Sequence, residues 1–302
     1  MLVSVLISNY NYGHFLGEAI DSVLTQTYRD FEIVVVDDGS FDNSYAVLDS
    51  YGSAIKFIRQ SNAGQAAAIN NGFEASRGEI ICLLDGDDSF LPQKIEKVVS
   101  VFDRWPSVSW VFHGLIYVES VSGKVFSVDQ PARTCHCDFR GKARRGMLPY
   151  VHSSTSGLSF RRGFLQKLTP IPIEIRIATD NYLKFAAMAL SEGFLVAEPL
   201  SNLRIHGGNA YTMRRDNGGL KARMKFLTAK CLRQRWPYLA AFSRRVAADG
   251  LSELWCCGRS NRDGILARDY IGGLPLMQRC LVRAMAAKIT VRKLLSGVLR
   301  QG

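Results

Sequence analysis

Long apolar runs are absent from this sequence of 302 residues. Its apolar start, Leu2 to Ile7, is far shorter than the roughly 20 residues of a membrane-spanning helix. No basic leader or cleavage site accompanies it, so we expect neither a signal peptide nor a polytopic membrane protein. Hydrophobic residues still make up 47% of the chain, which excludes a mainly disordered protein and predicts a globular one.

The cysteines lack the pattern of a disulfide framework or of a zinc site. There are seven, an odd number without regular spacing, which is typical of reduced thiols in a cytoplasmic protein. Neither Cys135 with Cys137 nor Cys256 with Cys257 has the two-residue gap of a zinc knuckle. A G-x-G-x-x-G loop and a P-loop are also missing, which disfavours NAD-binding and ATP-binding folds.

Acidic residues are scarce in the last quarter of the chain. Residues 1–215 carry 21 Lys/Arg and 22 Asp/Glu, whereas residues 216–302 carry 17 Lys/Arg and 5 Asp/Glu. The net charge of +11 therefore comes entirely from the C-terminal region. Such a region contacts an anionic partner, namely a membrane, nucleic acid or a phosphorylated substrate, or else it is a solvated helical face.

Apolar strands and amphipathic helices alternate over the first hundred residues. The predicted strands are Val3–Ser8, Phe31–Val36, Ile55–Ile58 and Glu79–Leu84. The predicted helices begin near Phe15, Gln65 and Leu91. This order predicts an α/β fold with a mostly parallel sheet flanked by helices.

Polar tetrads follow three of these strands, at the point where each strand ends. The tetrads are Ser8–Asn11, Asp37–Ser40 and Asp85–Asp88. We expect them to converge at the carboxyl edge of the sheet, where ligands bind in such folds. Tyr10 would offer an aromatic face for stacking, and a carboxylate would accept a hydrogen bond from a base, which together predict a nucleotide site.

The pattern changes in the middle of the chain. Val108–Val118 and Lys124–Val128 predict a hairpin, and residues 131–150, basic with few apolar positions, predict a mobile loop. Asp180–Glu192 predicts a helix with Asp180 as its N-cap. Beyond residue 216 we expect a basic, mainly helical region.

Three carboxylates crowd into the four residues Asp85-Gly86-Asp87-Asp88. Like charges this close repel one another unless a cation lies among them. Oxygen ligands suit Mg²⁺ or Mn²⁺, and Mg²⁺ commonly binds one or two carboxylates together with substrate phosphates. Gly86 would let the backbone approach a ligand closely. We therefore predict a divalent-cation site here, with an acidic surface turn as the alternative.

Several segments in order resemble the inverting glycosyltransferases of family 2, which have the GT-A fold. The dense part of the resemblance consists of Val3–Asn11, Ala19–Tyr28, Glu32–Ser40, Asn62–Gly64 and Asp85–Asp87, the last matching the metal-binding DxD motif. Sparser matches are Ser156–Arg162, Ala178–Leu183 and Leu203–Asn209. The chain departs from the family pattern at Thr179, where Glu is usual, and at Leu203, where Tyr is usual.

The resemblance implies a role for each matching residue. The residues that would bind the nucleotide-sugar are Ser8, Tyr10, Asp37, Asp38, Asn62, Gly64, Asp85 and Gly86. Among them Asp37 would support the residues that contact the uracil and its ribose. Asp87 and His206 would hold Mg²⁺ or Mn²⁺, and Asp180 would be the general base.

The resemblance further implies a GT-A domain with a helical C-terminal extension. Residues 1–110 would form the nucleotide-sugar half, 111–215 the acceptor half with the base, and 216–302 the basic extension. The implied reaction moves a sugar from a nucleotide-sugar to a hydroxyl of a saccharide or lipid-linked acceptor, in bacterial cell-surface polysaccharide or glycolipid synthesis. UDP is the first candidate nucleotide, and dTDP and GDP stay open.

Other functions remain as alternatives. A catalytically inactive nucleotide-binding scaffold would be expected to have lost Asp87 or Asp180, and both are present. A sugar-nucleotide nucleotidyltransferase would need a basic, glycine-rich loop after the first strand, where this chain has Ser8–Tyr12. A nucleic-acid partner would explain the basic region but not the carboxylate cluster, so we expect none.

The basic C-terminal region favours a cytoplasmic protein with peripheral contact on the inner face of the membrane. Met277, Leu281, Leu295 and Leu299 share one helical face, which Lys288 and Arg292 interrupt. A plain packing helix is the alternative.

Overall fold

The computed structural model describes residues 1–147, 151, 153–209, 217–257 and 261–298. The chain divides into two compact units: Met1–Asp138 with Tyr150–Asn209, and Phe139–Pro149 with Ala210–Gly302. The predicted boundary between residues 215 and 216 lies at the edge of a stretch, 210–216, that is outside the described residues. The predicted division after residue 110 stays a prediction.

The first unit contains the strands and most of the shorter helices. Its strands are β1 Val3–Asn9, β2 Phe31–Asp37, β3 Lys56–Arg59, β4 Ile80–Asp85, β5 Ser89–Phe90, β6 Trp110–Glu119, β7 Val125–Asp129, β8 Cys135–Cys137, β9 Leu158–Arg161 and β10 Gly193–Ile205. Its helices are α1 Gly13–Leu24, α2 Ser44–Ser50, α3 Gln65–Ala75, α4 Lys94–Arg104, α6 Arg162–Leu168 and α7 Thr179–Leu190. The helices of the second unit are α5 Arg140–Arg144, α8 Asn217–Arg235, α9 Ala240–Cys257, α10 Asn261–Gly272 and α11 Leu276–Val298.

These strands form one mixed sheet in the order β3-β2-β1-β4-β9-β6-β10-β5, with β7 beside β6 and β8 beside β10. The first four strands in this order are parallel, and β9 is antiparallel to both β4 and β6. The apolar runs of β1, β2 and β4 are buried because helices cover the sheet, as residues such as Val34 and Leu83 show with 0% exposure. The predicted parallel α/β sheet is therefore confirmed.

Most of the predicted elements are present, but one helix was not predicted and one predicted loop contains regular structure. The hairpin is confirmed, since β6 and β7 pair antiparallel. Helix α2, which was not predicted, lies between β2 and β3 and provides the crossover that parallel neighbours require. The segment 131–150 is not simply a loop, because it contains β8, which pairs with β10, and α5.

The described part of the second unit is helical, as predicted. Three of its helices meet at a cluster of four charges, in which Lys225 of α8 and Lys293 of α11 each pair with Asp249 and Glu253 of α9 at 2.6–2.9 Å. Burial alone would raise the pKa of Asp249, but the two ammonium groups outweigh it and hold that pKa below its usual value. The same balance lowers the pKa of Glu253. The cluster thus ties α9 to both of its neighbours.

Among the described residues, we find no helix that is both long and apolar enough to cross a bilayer.

Candidate active site

Three parallel strands end side by side at one edge of the sheet. Ser8 is in register with Asp85, and Asn9 is in register with Asp37. The Ser8 hydroxyl donates to Asp85 Oδ1 at 3.0 Å, which links the ends of β1 and β4 directly. The predicted convergence of the polar strand ends is therefore confirmed.

Asp37 lies beneath this edge and is only 1% exposed. Its Oδ1 accepts hydrogen bonds from Asn9 Nδ2 at 2.9 Å and from the Ser40 hydroxyl at 2.5 Å. Its Oδ2 accepts a bond from the Ser40 N–H at 3.2 Å. These contacts join the end of β1 to the turn after β2. They are the contacts of a residue that supports the site, not of one that touches a bound molecule.

Asp38 organises the loop that precedes α3. Its Oδ1 accepts hydrogen bonds from Gln60 Nε2 and from the Ala63 N–H, both at 2.7 Å, and its Oδ2 accepts one from the Gly64 N–H at 2.8 Å. Asn62 Nδ2 donates to the Asp38 carbonyl at 3.1 Å. Because a carboxylate has about four acceptor positions, Asp38 keeps capacity for one further donor, such as a base N–H.

Two glycines of the site occupy positions that a side chain would disturb. Gly64 has φ +94°, and a Cβ there would lie 2.8 Å from the Cα and the carbonyl oxygen of Arg176. A Cβ at Gly86 would lie 2.7 Å from Asn9 Oδ1. Both glycines therefore allow close packing of backbone around the strand ends.

Two carboxylates at the end of β4 have raised pKa values. Asp88 is buried and hydrogen-bonded to neighbouring segments. Its Oδ2 accepts a hydrogen bond from the Ser156 hydroxyl at 2.5 Å, and its Oδ1 accepts one from the Arg204 N–H at 3.0 Å. Burial, followed by the charges of Asp87 and Asp85, raises the pKa of Asp88 well above its usual value. Burial, then the charges of Asp87 and Asp180, raises the pKa of Asp85 to about 7. The site thus concentrates negative charge that a cation would relieve.

Asp87 and His206 form a direct pair. His206 Nε2 lies 3.0 Å from Asp87 Oδ2, and Asn209 Nδ2 donates to the same oxygen at 3.3 Å. The rings of Tyr12 and Phe15 pack against His206, with centroids 5.4 and 4.8 Å from its centroid. The structure therefore brings together the two predicted metal ligands, which are 119 residues apart in sequence.

Asp180 lies in the first turn of α7 and is not its N-cap. The helix begins at Thr179 after Ala178, which has a left-handed φ of 54°, so Asp180 is the second helical residue. Its Oδ2 pairs with Lys184 Nζ at 2.8 Å, one turn further along the helix. Lys184 also donates to the Ser153 carbonyl. Asp180 is thus held by its neighbour, while its charge acts on Asp85.

Tyr10 lies at the surface, where 41% of it is exposed. Its ring meets Phe41 edge to face, with centroids 6.2 Å apart. The exposed ring is available for stacking against a planar ligand.

The sequence profile described as Glycosyl transferase family 2 matches residues 4–169, which is more than half of the chain. This chain belongs to glycosyl transferase family 2.

Curated relatives of this family 2 chain carry matching names. An uncharacterized glycosyltransferase of Nostoc sp. is 37% identical over 217 residues, covering 69% of this chain and 66% of the relative. An uncharacterized glycosyltransferase of Rickettsia typhi is 29% identical over 208 residues, covering 68% of this chain and 64% of the relative. The matches therefore span just under two thirds of the length of these relatives.

Solved structures show the same fold for this family 2 chain. The crystal structure of S. aureus TarS 1-349 in complex with UDP-GlcNAc has a TM-score of 0.65 at 15% identity, covering 96% of this chain and 89% of that one. The mannosyltransferase of Pyrobaculum calidifontis in complex with GDP-Man and Mn²⁺ has a TM-score of 0.53 at 18% identity, covering 96% and 86%. The GT-A fold predicted from sequence is confirmed.

Asp87 and His206 fit a divalent metal of this family in type and placement. A carboxylate oxygen and an imidazole nitrogen already face each other at 3.0 Å, next to Asp85, whose pKa is raised to about 7 by burial and by the charge of Asp87. The described residues offer no group of three or more His, Cys, Asp or Glu side chains that would hold a metal unaided. The pair therefore suits Mg²⁺ or Mn²⁺ that takes its further ligands from other molecules.

Two residues of the site escaped sequence reasoning. Gln65 follows the Asn62–Gly64 loop and contacts Asp85, but a glutamine in an ordinary helix carries no sequence signal of its own. Lys184 could have been found, because a lysine four residues after an aspartate on a helix is placed to pair with it.

Proposed function

We propose that this chain is an inverting glycosyltransferase that moves a sugar from a UDP-sugar to a hydroxyl of a saccharide or lipid-linked acceptor. The observation that carries the proposal is that the Ser8 hydroxyl bonds Asp85 and that His206 pairs with Asp87, each at 3.0 Å, at the end of β4. Asp85 would bind the donor there, and Asp180, whose charge also acts on Asp85, would be the base for the acceptor.

The donor would lie along the strand ends. Tyr10 would stack on the base, and Asp38 would accept a base N–H with its remaining lone pair, while Ser8 and Asp85 would bind the ribose side. Asn62, Gly64 and Gly86 would shape the backbone around it. Uridine is supported by the structural neighbour TarS, whose crystal structures contain UDP and UDP-GlcNAc.

Asp87 and His206 would hold Mg²⁺ or Mn²⁺. When bound, the metal would supply Lewis-acid stabilisation of the departing diphosphate. The contacts with His206 and Asn209 hold the Asp87 carboxylate in position for this role.

Asp180 would take the proton from the acceptor hydroxyl as that oxygen attacks the anomeric carbon. The new C–O bond forms on the face opposite the departing diphosphate, so a single displacement inverts the configuration and requires no covalent nucleophile. Lys184 would keep the Asp180 carboxylate in one orientation through their 2.8 Å ion pair.

Binding of nucleoside diphosphates tests the donor half of this proposal. We expect calorimetry to show UDP binding that Mn²⁺ strengthens by about tenfold or more, with GDP and dTDP binding more weakly. Two outcomes would contradict it: no binding of any of the three nucleotides, or preferential binding of GDP. UDP binding without transfer to any acceptor would favour the inactive scaffold. Release of pyrophosphate from UTP and a sugar 1-phosphate would favour the nucleotidyltransferase.

The proposed setting is bacterial cell-surface polysaccharide or glycolipid synthesis, on the cytoplasmic face of the membrane. Helix α11 supports membrane contact. Its inner side, with Val282, Ala286 and Ile289, is buried. Its outer side is also apolar, and the large residues exposed there are Leu276, Met277, Leu281, Val291, Leu294 and Leu295. Leu299, predicted for the same face, lies outside the described residues.

The charge of α11 favours an anionic partner for this outer face. Helix α11 contains no Asp or Glu, and Arg283, Lys288 and Arg292 are exposed among its apolar residues. Apolar side chains suit the acyl boundary, and long basic side chains reach back to anionic headgroups. We therefore assign this face to an anionic lipid surface.

Vesicle sedimentation tests the lipid contact. We expect binding to vesicles containing phosphatidylglycerol, weakened by high salt, and little binding to phosphatidylcholine alone. Leu281→Gln combined with Leu295→Gln should lower partitioning by about thirtyfold, since each leucine contributes about 1 kcal/mol when partly buried. Ile173→Gln, at an exposed isoleucine of the first unit, is the control. Equal binding to both vesicle types, or a dimer in solution that the leucine substitutions dissociate, would reject the assignment.

A further inference from the structure

We infer that Gln65 is the positioning residue that aligns the base-bearing helix α7 with the donor site. The inference rests on the proposed function for the roles of Asp85 and Asp180. Gln65 is the first residue of α3, directly after the loop that Asp38 organises. Its side chain reaches both sides of the site, as the following contacts show.

The amide nitrogen of Gln65 faces the donor side. Nε2 donates to Asp85 Oδ1 at 2.7 Å and to the Thr155 hydroxyl at 3.2 Å. Asp85 Oδ1 is also the oxygen that accepts the Ser8 hydroxyl. Gln65 therefore shares an acceptor with a residue proposed to bind the nucleotide.

The amide oxygen of Gln65 faces the base side. Oε1 accepts hydrogen bonds from the Thr179 hydroxyl at 2.8 Å and from the Thr179 N–H at 3.2 Å. Thr179 directly precedes Asp180 and is the first residue of α7. The Gln65 N–H also donates to the Arg176 carbonyl at 2.7 Å, so the same residue fixes the segment leading into the helix at two points.

These partners permit one orientation of the amide. Both N–H groups and both oxygen lone pairs of the Gln65 amide are used. A flipped amide would turn its NH₂ group toward the Thr179 N–H and its oxygen toward the Asp85 carboxylate, losing the main bonds on both sides. The side chain therefore acts as a rigid link of fixed length between Asp85 and Thr179.

The link also replaces a cap that the sequence does not supply locally. The residue before α7 is Ala178, which has a left-handed backbone. Its methyl side chain cannot accept a hydrogen bond from the first N–H groups of the helix. Gln65 supplies that acceptor from a position 114 residues away. A change at Asp85 when the donor binds would thus be passed to the start of the helix that carries Asp180.

The matched control lies on the same helix. Asn70 of α3 also bonds a distant backbone in both directions, because its Nδ2 donates to the Ile171 carbonyl at 2.9 Å and its Oδ1 accepts the Ile171 N–H at 2.7 Å. Asn70→Ala therefore removes a comparable pair of bonds without touching Asp85 or Thr179. A purely structural role for Gln65 predicts the same behaviour from both variants.

The test compares Gln65→Ala with Asn70→Ala by hydrogen exchange and by kinetics. For Gln65→Ala we expect faster exchange over Thr179–Leu183 and loss of the protection that UDP with Mn²⁺ confers there. We also expect kcat to fall by about tenfold or more, with UDP affinity changed by less than about threefold. Combining Gln65→Ala with Thr179→Val should cost little more than Gln65→Ala alone, because both remove the same link.

Equal exchange over Thr179–Leu183 in Gln65→Ala and Asn70→Ala would overturn the inference, whether or not the enzyme is active. If the wild-type protein fails to bind any nucleotide, the proposed function fails, and the exchange rates of the unliganded variants still decide whether Gln65 holds α7.

Discussion

Asp180→Asn is expected to lower kcat by about 10²- to 10⁴-fold while leaving the affinity for UDP within about twofold. The amide cannot accept the proton of the acceptor hydroxyl, yet it keeps the shape of the side chain in the first turn of α7. The measurement is the release of UDP from the donor with and without acceptor, beside calorimetric binding of UDP.

Glu174→Gln is the control for this variant, because Glu174 is an exposed carboxylate six residues earlier in the chain. It should retain full turnover. If Asp180→Asn kept more than about a tenth of the wild-type kcat, Asp180 would not be the base, and a different acceptor-side group would have to be sought.

Asp87→Asn is expected to abolish the Mn²⁺ dependence of UDP binding, which corresponds to an affinity loss of about tenfold to a hundredfold when Mn²⁺ is present. Asparagine preserves the size of the side chain and can still meet Asn209 and His206, so the surrounding fold should persist. Calorimetry with and without Mn²⁺ measures the effect, and the thermal unfolding temperature checks the fold.

A control variant tests whether the Mn²⁺ dependence needs the negative charge of Asp87 in particular, or whether the loss of any carboxylate has the same effect. Asp103→Asn removes an exposed carboxylate at the end of α4 and should leave the Mn²⁺ dependence intact. Persistence of metal-dependent binding in Asp87→Asn would show that the diphosphate recruits the cation elsewhere.

The strand ends could be predicted because their signal is local and strong. Each of β1, β2 and β4 contains an apolar run that leads directly into a polar tetrad, and parallel strands bring such ends together without further information. The pairing of Asp87 with His206 needed the resemblance to known sequences, since nothing in the chain between them indicates that they meet.

Short helices and strands have too weak a sequence pattern to be predicted. Helix α2 buries only Ser44 and Leu48 among its seven residues, so it shows no recognisable apolar face. Strand β8 has three residues, and α5 has five with Ala143 alone buried, so both disappear in a basic stretch. Such short elements form because they pack against or pair with distant parts of the chain, and local sequence composition does not indicate those contacts.

The start of α7 shows how a local sequence rule can assign a residue the wrong position in a helix. An aspartate ahead of an amphipathic stretch is a common N-cap, and that rule placed Asp180 one position outside the helix. The helix instead begins at Thr179, directly after the left-handed Ala178, and the Thr179 N–H donates to Gln65 Oε1. The acceptor that starts the helix comes from a distant part of the chain, which a local rule cannot anticipate.

The four-charge cluster of the second unit has a consequence for shortened forms of the chain. A gene that stops before α11 would remove Lys293 but keep Lys225, Asp249 and Glu253. The two carboxylates of α9 would then face one of their two ammonium partners, which is a costly arrangement to bury. We therefore expect the helical unit of such a shortened chain to be less stable than that of the full chain.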